Sequence, residues 1–143
     1  MKESLVRIAA ARAASEKFLG QPLDWGKTDC VRILAFTMRQ MRSPLSLAKA
    51  GSYSTPTGAL KALKRTGFAT LEEALDDRGL PRITPARALP ADVLAMPGED
   101  GLAALWIVMG NGRALGYHCD SPKCSNIAVN LDVAVGAWST YRG

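Results

Sequence analysis

Residues 24–34 read DWGKTDCVRIL, a polar loop that runs directly into a predicted helix beginning at Cys30. A cysteine at a helix N-terminus lies beside unpaired backbone N–H groups and the positive end of the helix dipole, and both stabilise a thiolate over a thiol. Cys30 is therefore a candidate nucleophile. The alternative is a small buried residue in the first turn of a core helix, which is the more frequent environment of a free cysteine.

The bulk composition limits the classes of protein to consider. A chain of 143 residues, 48% of them hydrophobic, suits one sizeable core, so we predict a single domain over residues 1–143. The net charge of +5 is spread along the chain, which argues against a nucleic-acid partner. Charges interrupt the first 20 residues, and the longest apolar run, residues 102–109, is short, so we expect no signal peptide and no membrane span. Three cysteines without a secretion signal fit synthesis in a reducing cytoplasm.

The two halves of the chain differ in their hydrophobic patterns. Residues 1–80 have helical periodicity, whereas residues 90–143 contain short blocks rich in Val, Ile, Trp and Gly. This order predicts an α+β fold in which N-terminal helices pack on a C-terminal antiparallel sheet formed by residues 92–140. Capping and breaking residues predict one helix ending at Gly20, one from Cys30 to before Pro44, one from Thr55-Pro56 to Gly67, and a short one over residues 70–79.

On the first helix, one face is expected to pack against the core. It contains Leu5, Ile8, Arg12, Ser15 and Phe18-Leu19.

Strands are predicted at residues 92–96, 102–109, 114–119, 126–131 and 133–138. Between the second and third of them lies Gly110-Asn111-Gly112, whose residues tolerate positive φ. The sequence therefore predicts a β-hairpin around this turn.

A cysteine nucleophile needs a base, and histidine is the usual one because it titrates near neutral pH. The chain has one histidine, His118, at the end of the second hairpin strand. A cysteine on an early helix and a histidine on a following sheet form the papain-like arrangement. In this interpretation Cys30 and His118 are the catalytic pair, Asp29 and Asp120 are candidate orienting residues, and the Cys30 amide is an oxyanion donor.

Two segments resemble a known family. Residues 25–30, WGKTDC, resemble the nucleophile motif of NlpC/P60 cysteine peptidases, and residues 103–112 resemble the central hairpin of that family. The chain also resembles short NlpC/P60-related proteins of bacteriophage tail gene clusters, which share the pattern seen at Ala137-Trp138. The resemblance implies a papain-like fold without a cofactor, made in the bacterial host cytoplasm and assembled into the virion tail. It also implies other phage tail proteins as partners, and peptidoglycan peptides if the protein is active.

The chain departs from that family at the base. The family histidine opens the strand before the Gly-Asn-Gly turn, where this chain has Leu102, Ala103 and Ala104. The strand after the turn, which holds the orienting residue of the family, contains Tyr117-His118. Because the family base position has no proton acceptor, the sequence favours a structural component of the tail tip or of tail assembly. An active hydrolase that cleaves peptidoglycan stem peptides during infection is the alternative.

A third interpretation is a metal-stabilised adaptor. Its ligands would be Cys30, His118, Cys119 and Cys124, which suit zinc or an iron–sulfur cluster. The spacing of Cys119 and Cys124 is wider than in common zinc knuckles, and adjacent strand residues point to opposite faces, so a metal is not favoured.

The three tryptophans have different expected roles. Trp25 lies beside Cys30 and is the candidate substrate-binding residue, which would either wall or plug a cleft. Trp106 and Trp138 are expected to be core residues.

Overall fold

The helices precede the strands along the chain, as the hydrophobic patterns predict. The computed structural model describes residues 2–44, 55–98, 102–117 and 122–141. Within them, four α-helices are followed by six strands, so the α+β class is confirmed. The helices are α1 Glu3–Phe18, α2 Cys30–Gln40, α3 Pro56–Arg65 and α4 Leu71–Asp77. The strands are β1 Arg82–Ile83, β2 Val93–Met96, β3 Ala104–Gly110, β4 Arg113–Tyr117, β5 Cys124–Ala128 and β6 Gly136–Trp138.

All six strands belong to one antiparallel sheet of order β1-β6-β2-β3-β4-β5. The last strand of the chain, β6, lies between β1 and β2. The sequence did not predict β1, which lies before the 92–140 region and pairs two residues with β6. None of the helices in the described part of the chain is long and apolar enough to cross a membrane.

Local sequence signals explain most element ends. The side chains of Thr55 and Thr70 accept hydrogen bonds from the third residue after each, and so cap α3 and α4. Gly110, Asn111 and Gly112 have φ angles of 102°, 56° and 73°, which form the predicted turn between β3 and β4.

The predicted strand at residues 126–131 is wrong in its limits, since β5 is Cys124–Ala128. A 3₁₀ turn, Leu131–Val133, follows it, because the Asn130 side chain accepts a hydrogen bond from the backbone N–H of Asp132. The strand predicted at residues 133–138 is correspondingly shorter, with β6 limited to Gly136–Trp138.

The main core lies between α1, α2 and α4 and one face of the sheet. Strand residues on this face alternate with residues on the other face, so Leu105, Ile107 and Leu115 meet Ile33 and Leu34 of α2. Further buried members are Ala14, Phe18, Met38, Leu75, Leu80, Val93, Ala95, Cys124 and Trp138.

The other face of the sheet has no α-helix packed on it among the described residues, and short connections cover it instead. Leu94, Trp106 and Val108 are buried there under segments that include residues 129–131. The Trp106 ring lies over Gly116, where an added Cβ would come within 2.6 Å of the ring. Trp106 and Trp138 are therefore core residues, as predicted.

The predicted inner face of α1 is confirmed at Phe18, which is buried, and is wrong at Leu5, Ile8, Arg12 and Leu19, which are exposed. Leu5, Ile8 and Leu19 are 55%, 49% and 49% exposed. The buried residues of α1 are Arg7, Ala10, Ala11, Ala14 and Phe18. The small alanine side chains allow α1 to pack closely on α2, and the charge of Arg7 is accommodated by a buried partner, Asp92.

Arg7 joins α1 to the sheet through a buried ion pair. Its guanidinium lies 2.6 Å from the Asp92 carboxylate and also donates to Pro90 O and Ser139 Oγ. Asp92 additionally accepts from the backbone N–H groups of Leu89 and Thr140. We call these residues the Arg7–Asp92 cluster; it connects α1, the start of β2 and the end of β6.

The connection from α1 to α2 extends the sheet by one short segment. The Gly20 N–H donates to Cys124 O, the Cys124 N–H donates to Gln21 O, and the Leu23 N–H donates to Pro122 O. Residues 20–23 therefore cover the beginning of β5, which is otherwise an edge strand. This pairing fixes the position of the loop that leads to Cys30.

Candidate functional site

Cys30 is the first residue of α2, as the sequence predicts. It packs against the main core beside β3, and part of the residue stays accessible to solvent. Backbone hydrogen bonds reach its thiol from Leu105 of β3 and from the helix start at Cys30 and Val31. Cys30 therefore lies at the junction of the helix layer and the sheet.

Burial dominates the chemistry of this thiol. Burial, with a smaller contribution from the nearby Asp29 charge, raises the pKa of Cys30 from 9.0 to about 11. The hydrogen bonds from Leu105 and the helix start lower the pKa, as expected for a helix N-terminus, but they do not outweigh burial. Cys30 is therefore a neutral thiol at pH 7.

Asp29 is the N-cap of α2 and is almost fully buried. One carboxylate oxygen accepts from the Arg32 N–H at 2.9 Å and the other accepts from the Gly26 N–H at 2.7 Å. Both oxygens are thus engaged by backbone donors, which stabilise the helix start and the loop before it.

The loop before Cys30 is a tight turn that presents Trp25. Asp24 and Thr28 form an isolated antiparallel bridge, and Gly26 has a φ of +86° that favours glycine. The Arg32 side chain donates to Gly26 O from the first turn of α2. Trp25 is half-buried in this turn, two residues after the segment that pairs with β5.

Tyr117 is the strand residue that faces the Cys30 region. It shares the helix-covered face of the sheet with Leu115, and its hydroxyl lies 3.4 Å from Pro22 O. Burial, followed by the charge on Cys124, raises the Tyr117 pKa to about 12, although a hydrogen bond with Thr28 lowers it. Tyr117 is therefore protonated at neutral pH and cannot act as a base.

The family resemblance places Tyr117 only together with His118, at the orienting position, and does not predict that Tyr117 faces Cys30. A signal was present, because the Gly110-Asn111-Gly112 turn fixes the hairpin register. Counting by twos from the buried Leu115 then places residue 117 on the inner face.

The base position of the peptidases corresponds to Leu102, Ala103 and Ala104, just before and at the start of β3. Ala103 packs against the helix-covered core and Ala104 against the opposite face. Neither side chain can accept a proton. The other predicted catalytic residues, His118 and Asp120, lie outside the described residues, and so does Cys119.

Cys124 lies in β5 opposite Tyr117 and is buried. Burial raises the pKa of its thiol to about 11. No group of three or more His, Cys, Asp or Glu side chains arranged for a metal occurs among residues 2–44, 55–98, 102–117 and 122–141. A site using His118 and Cys119 stays a prediction.

The arrangement thus contains one cysteine at a helix start, a capping aspartate and a tyrosine from the sheet. Tyr117 is protonated at neutral pH and cannot take the Cys30 proton, and both Asp29 oxygens already accept hydrogen bonds from backbone N–H groups.

Comparison with known proteins gives one family. Residues 7–140 match the family described as a domain of unknown function, DUF6950. A search of curated proteins finds no match to the chain.

Proposed function

Because the chain belongs to the DUF6950 family, whose description assigns no activity, we propose a function from the chemistry of its own residues. The domain is a papain-like fold of NlpC/P60 type with a degenerate catalytic site, and it acts as a structural component of a bacteriophage tail. Support for the fold comes from a cysteine that begins a helix packed on the central antiparallel sheet, next to a Gly-Asn-Gly hairpin.

The protonated state of Cys30 is the observation that best supports loss of hydrolysis. Cysteine nucleophiles react as thiolates. With a pKa of about 11, roughly one Cys30 thiol in ten thousand is ionised at pH 7. Active cysteine hydrolases lower this pKa with a neighbouring imidazolium, whereas the described residues that shift the Cys30 pKa include Leu105, Val31 and Asp29, none of which carries a positive charge.

The phage tail assignment rests on the resemblance of residues 25–30 and 103–112 to tail-associated NlpC/P60-related proteins. In this function the fold supplies a surface to other tail proteins, at the tail tip or during assembly. Such a role requires a stable scaffold, which Asp29 supports by capping α2 and holding the Trp25 loop.

The first experiment measures alkylation of each cysteine by iodoacetamide from about pH 6 to about pH 9, with peptide mass spectrometry to separate the three sites. We expect Cys30 to react slowly over this range, as slowly as the buried Cys124, and at the same rate in His118→Ala. The unfolded chain provides the reference rate at each pH. Fast reaction of Cys30 near neutral pH that disappears in His118→Ala would overturn the loss of catalysis.

The second experiment tests the tail role in the phage whose genome encodes the chain. Deletion of the gene should abolish complete tails in electron micrographs, and Cys30→Ser should restore them together with infectivity. Normal tails in the deletion would contradict the structural role. Normal tails with lost infectivity in Cys30→Ser would favour an enzyme.

An active hydrolase is the second candidate, and the thiol environment favours it in one respect. The backbone N–H groups of Leu105 and of the helix start donate hydrogen bonds to the Cys30 sulfur, and these bonds also stabilise a thiolate. His118 directly follows Tyr117 in the sequence. In this mechanism His118 takes the Cys30 proton and the sulfur attacks a stem-peptide carbonyl, while the Cys30 amide stabilises the oxyanion. His118 then protonates the leaving amine, and water hydrolyses the thioester.

Digestion of purified peptidoglycan tests this second candidate. It predicts release of stem peptides that is lost in Cys30→Ser and retained in Cys124→Ser. No release by the unmodified protein would exclude it.

A further inference from the structure

Helix α1 exposes an apolar stripe that the rest of the described chain does not cover. At about 100° per residue, its members lie within about 100° of the helix circumference. We call this surface the outer stripe; its exposed residues are Leu5, Ile8, Ala9, Arg12, Glu16 and Leu19. Leu5, Ile8 and Leu19 are 55%, 49% and 49% exposed.

An ordinary surface helix buries its large apolar residues in the core, whereas α1 exposes them in the outer stripe. Here the inward face uses Ala10, Ala11 and Ala14 for close packing, so the fold does not need the larger side chains. Single exposed apolar residues are common, but Leu5, Ile8 and the C-cap residue Leu19 lie within about 60° of one another around the helix axis and form a surface suited to another helix.

The centre of the outer stripe carries two opposite charges. Arg12 and Glu16 are both exposed, and neither forms an ion pair with another described residue, although they are one turn apart. Elsewhere on α1, by contrast, Arg7 pairs with Glu3 at the same spacing. When two copies of this stripe face each other in antiparallel orientation, Arg12 of each copy lies opposite Glu16 of the other. The surface is therefore complementary to a second copy of itself.

We propose that two copies of the chain associate through the outer stripe, with their α1 helices antiparallel about a two-fold axis level with residue 14. This register pairs Arg12 with Glu16 of the second copy, and the symmetry repeats that pair. It also places Ile8 level with residue 20 of the second copy, one residue from Leu19. Charge complementarity thus fixes the register, and the apolar residues at both ends exclude water.

The size of the contact sets its strength. The 16 residues of α1 extend about 24 Å. One helix pair of this length buries less than the roughly 1,600 Å² of a standard stable interface. We therefore expect a weak dimer whose population increases with concentration.

Sedimentation velocity of the full chain from about 10 μM to about 1 mM tests the dimer. We expect reversible dimerisation that Ile8→Glu abolishes. Val133→Glu is the matched control, because Val133 is also 49% exposed but lies in the β5–β6 connection. Circular dichroism of each variant checks that the fold is retained.

Charge reversal tests the register. Arg12→Glu and Glu16→Arg should each weaken dimerisation about tenfold, since each replaces two attractive pairs by two repulsive ones. The double variant Arg12→Glu/Glu16→Arg should restore it. A monomer at all concentrations, or a double variant no better than the single ones, would overturn the proposal. The dimer does not depend on the chemistry of Cys30.

Discussion

The Arg7–Asp92 cluster and the Cys30 region are both polar groups buried between helix and sheet, but they are stabilised in different ways. In the Arg7–Asp92 cluster the guanidinium donates to four acceptors, and the carboxylate accepts from a side chain and two backbone N–H groups. In the Cys30 region, burial raises the pKa of Cys30, Tyr117 and Cys124.

The difference shows two ways to accommodate polar atoms in a core. A charged group is tolerated where every donor and acceptor has a partner, as at Asp92. Thiols and a phenol are tolerated with fewer partners because they stay neutral. The Arg7–Asp92 cluster therefore fixes the orientation of α1 through a buried ion pair. The Cys30 region is uncharged at neutral pH and packs as part of the apolar core.

The largest expected effect is from removing the charge at Asp92. Asp92→Ala removes the buried one of the two carboxylates that pair with Arg7 and leaves the Leu89 and Thr140 N–H groups without this acceptor. The free energy of unfolding should fall by about 3–5 kcal/mol. Urea unfolding measures this. The exposed Asp132→Ala is the control, with an expected change within about 0.5 kcal/mol. An equal effect of the two variants would show that the buried pair adds nothing.

The stability contribution of the Cys30 region should decrease at alkaline pH, whereas that of the Arg7–Asp92 cluster should not change. Folded Cys30 has a pKa of about 11 against 9.0 unfolded, so its stabilising contribution is complete below pH 9 and is lost as pH rises through 11. Two pKa units correspond to about 3 kcal/mol. Urea midpoints should fall from pH 8 to pH 10.5, and less so in Cys30→Ser/Cys124→Ser. The loss caused by Asp92→Ala should be the same at both pH values, because arginine does not titrate there.

A smaller effect is expected at the N-cap of α2. Asp29→Ala removes the acceptor of Arg32 and Gly26 N–H groups, which should cost about 1–2 kcal/mol. Hydrogen exchange of these two amides should become faster, because the Trp25 loop loses its attachment to the helix. Thr70→Ala is the matched variant, since Thr70 caps α4 through one backbone N–H only. Unchanged exchange at Gly26 would contradict this role of Asp29.

The smallest effect involves exposed Asp76, which accepts from Trp138 Nε1 at 2.8 Å and pairs with Arg82. Arg82 first, and then Trp138, lower the Asp76 pKa below 3.8. Its contribution is present above pH 3.8 and is lost as pH falls through the lowered value. Asp76→Asn should therefore make stability depend less steeply on pH below pH 4, whereas Asp77→Asn should not. Acid unfolding monitored by tryptophan fluorescence measures this.

Sequence signals predicted the elements wherever a local residue determines their ends. Thr55, Thr70 and the Gly110-Asn111-Gly112 turn are such residues, and Cys30 begins α2 as expected. The inner face of α1 could not be predicted, because Arg7 is buried only through Asp92, which is 85 positions away. Similarly, β1 has two residues and forms through β6, so no local pattern indicates it.

The candidate site was predictable in part. The loop and the helix start gave Cys30, Asp29 and Trp25 their positions, since all three lie within one short segment. The high pKa of Cys30 depends on how completely β3 and α2 bury its sulfur atom. Hydrophobic patterns in the sequence predict which face of an element is buried, but not how far a single atom is removed from solvent.

The position of β6 has a consequence for biosynthesis. This strand comes last among the described elements, yet it fills the space between β1 and β2, and its Trp138 is fully buried. The Asp92 carboxylate likewise receives the backbone N–H of Thr140. As the ribosome makes the chain, the helices and the β3–β4 hairpin can form early from local contacts, but β1 has no neighbour to pair with until residues 136–140 emerge. The cooperative fold is therefore completed only after residues 136–140 have emerged from the ribosome.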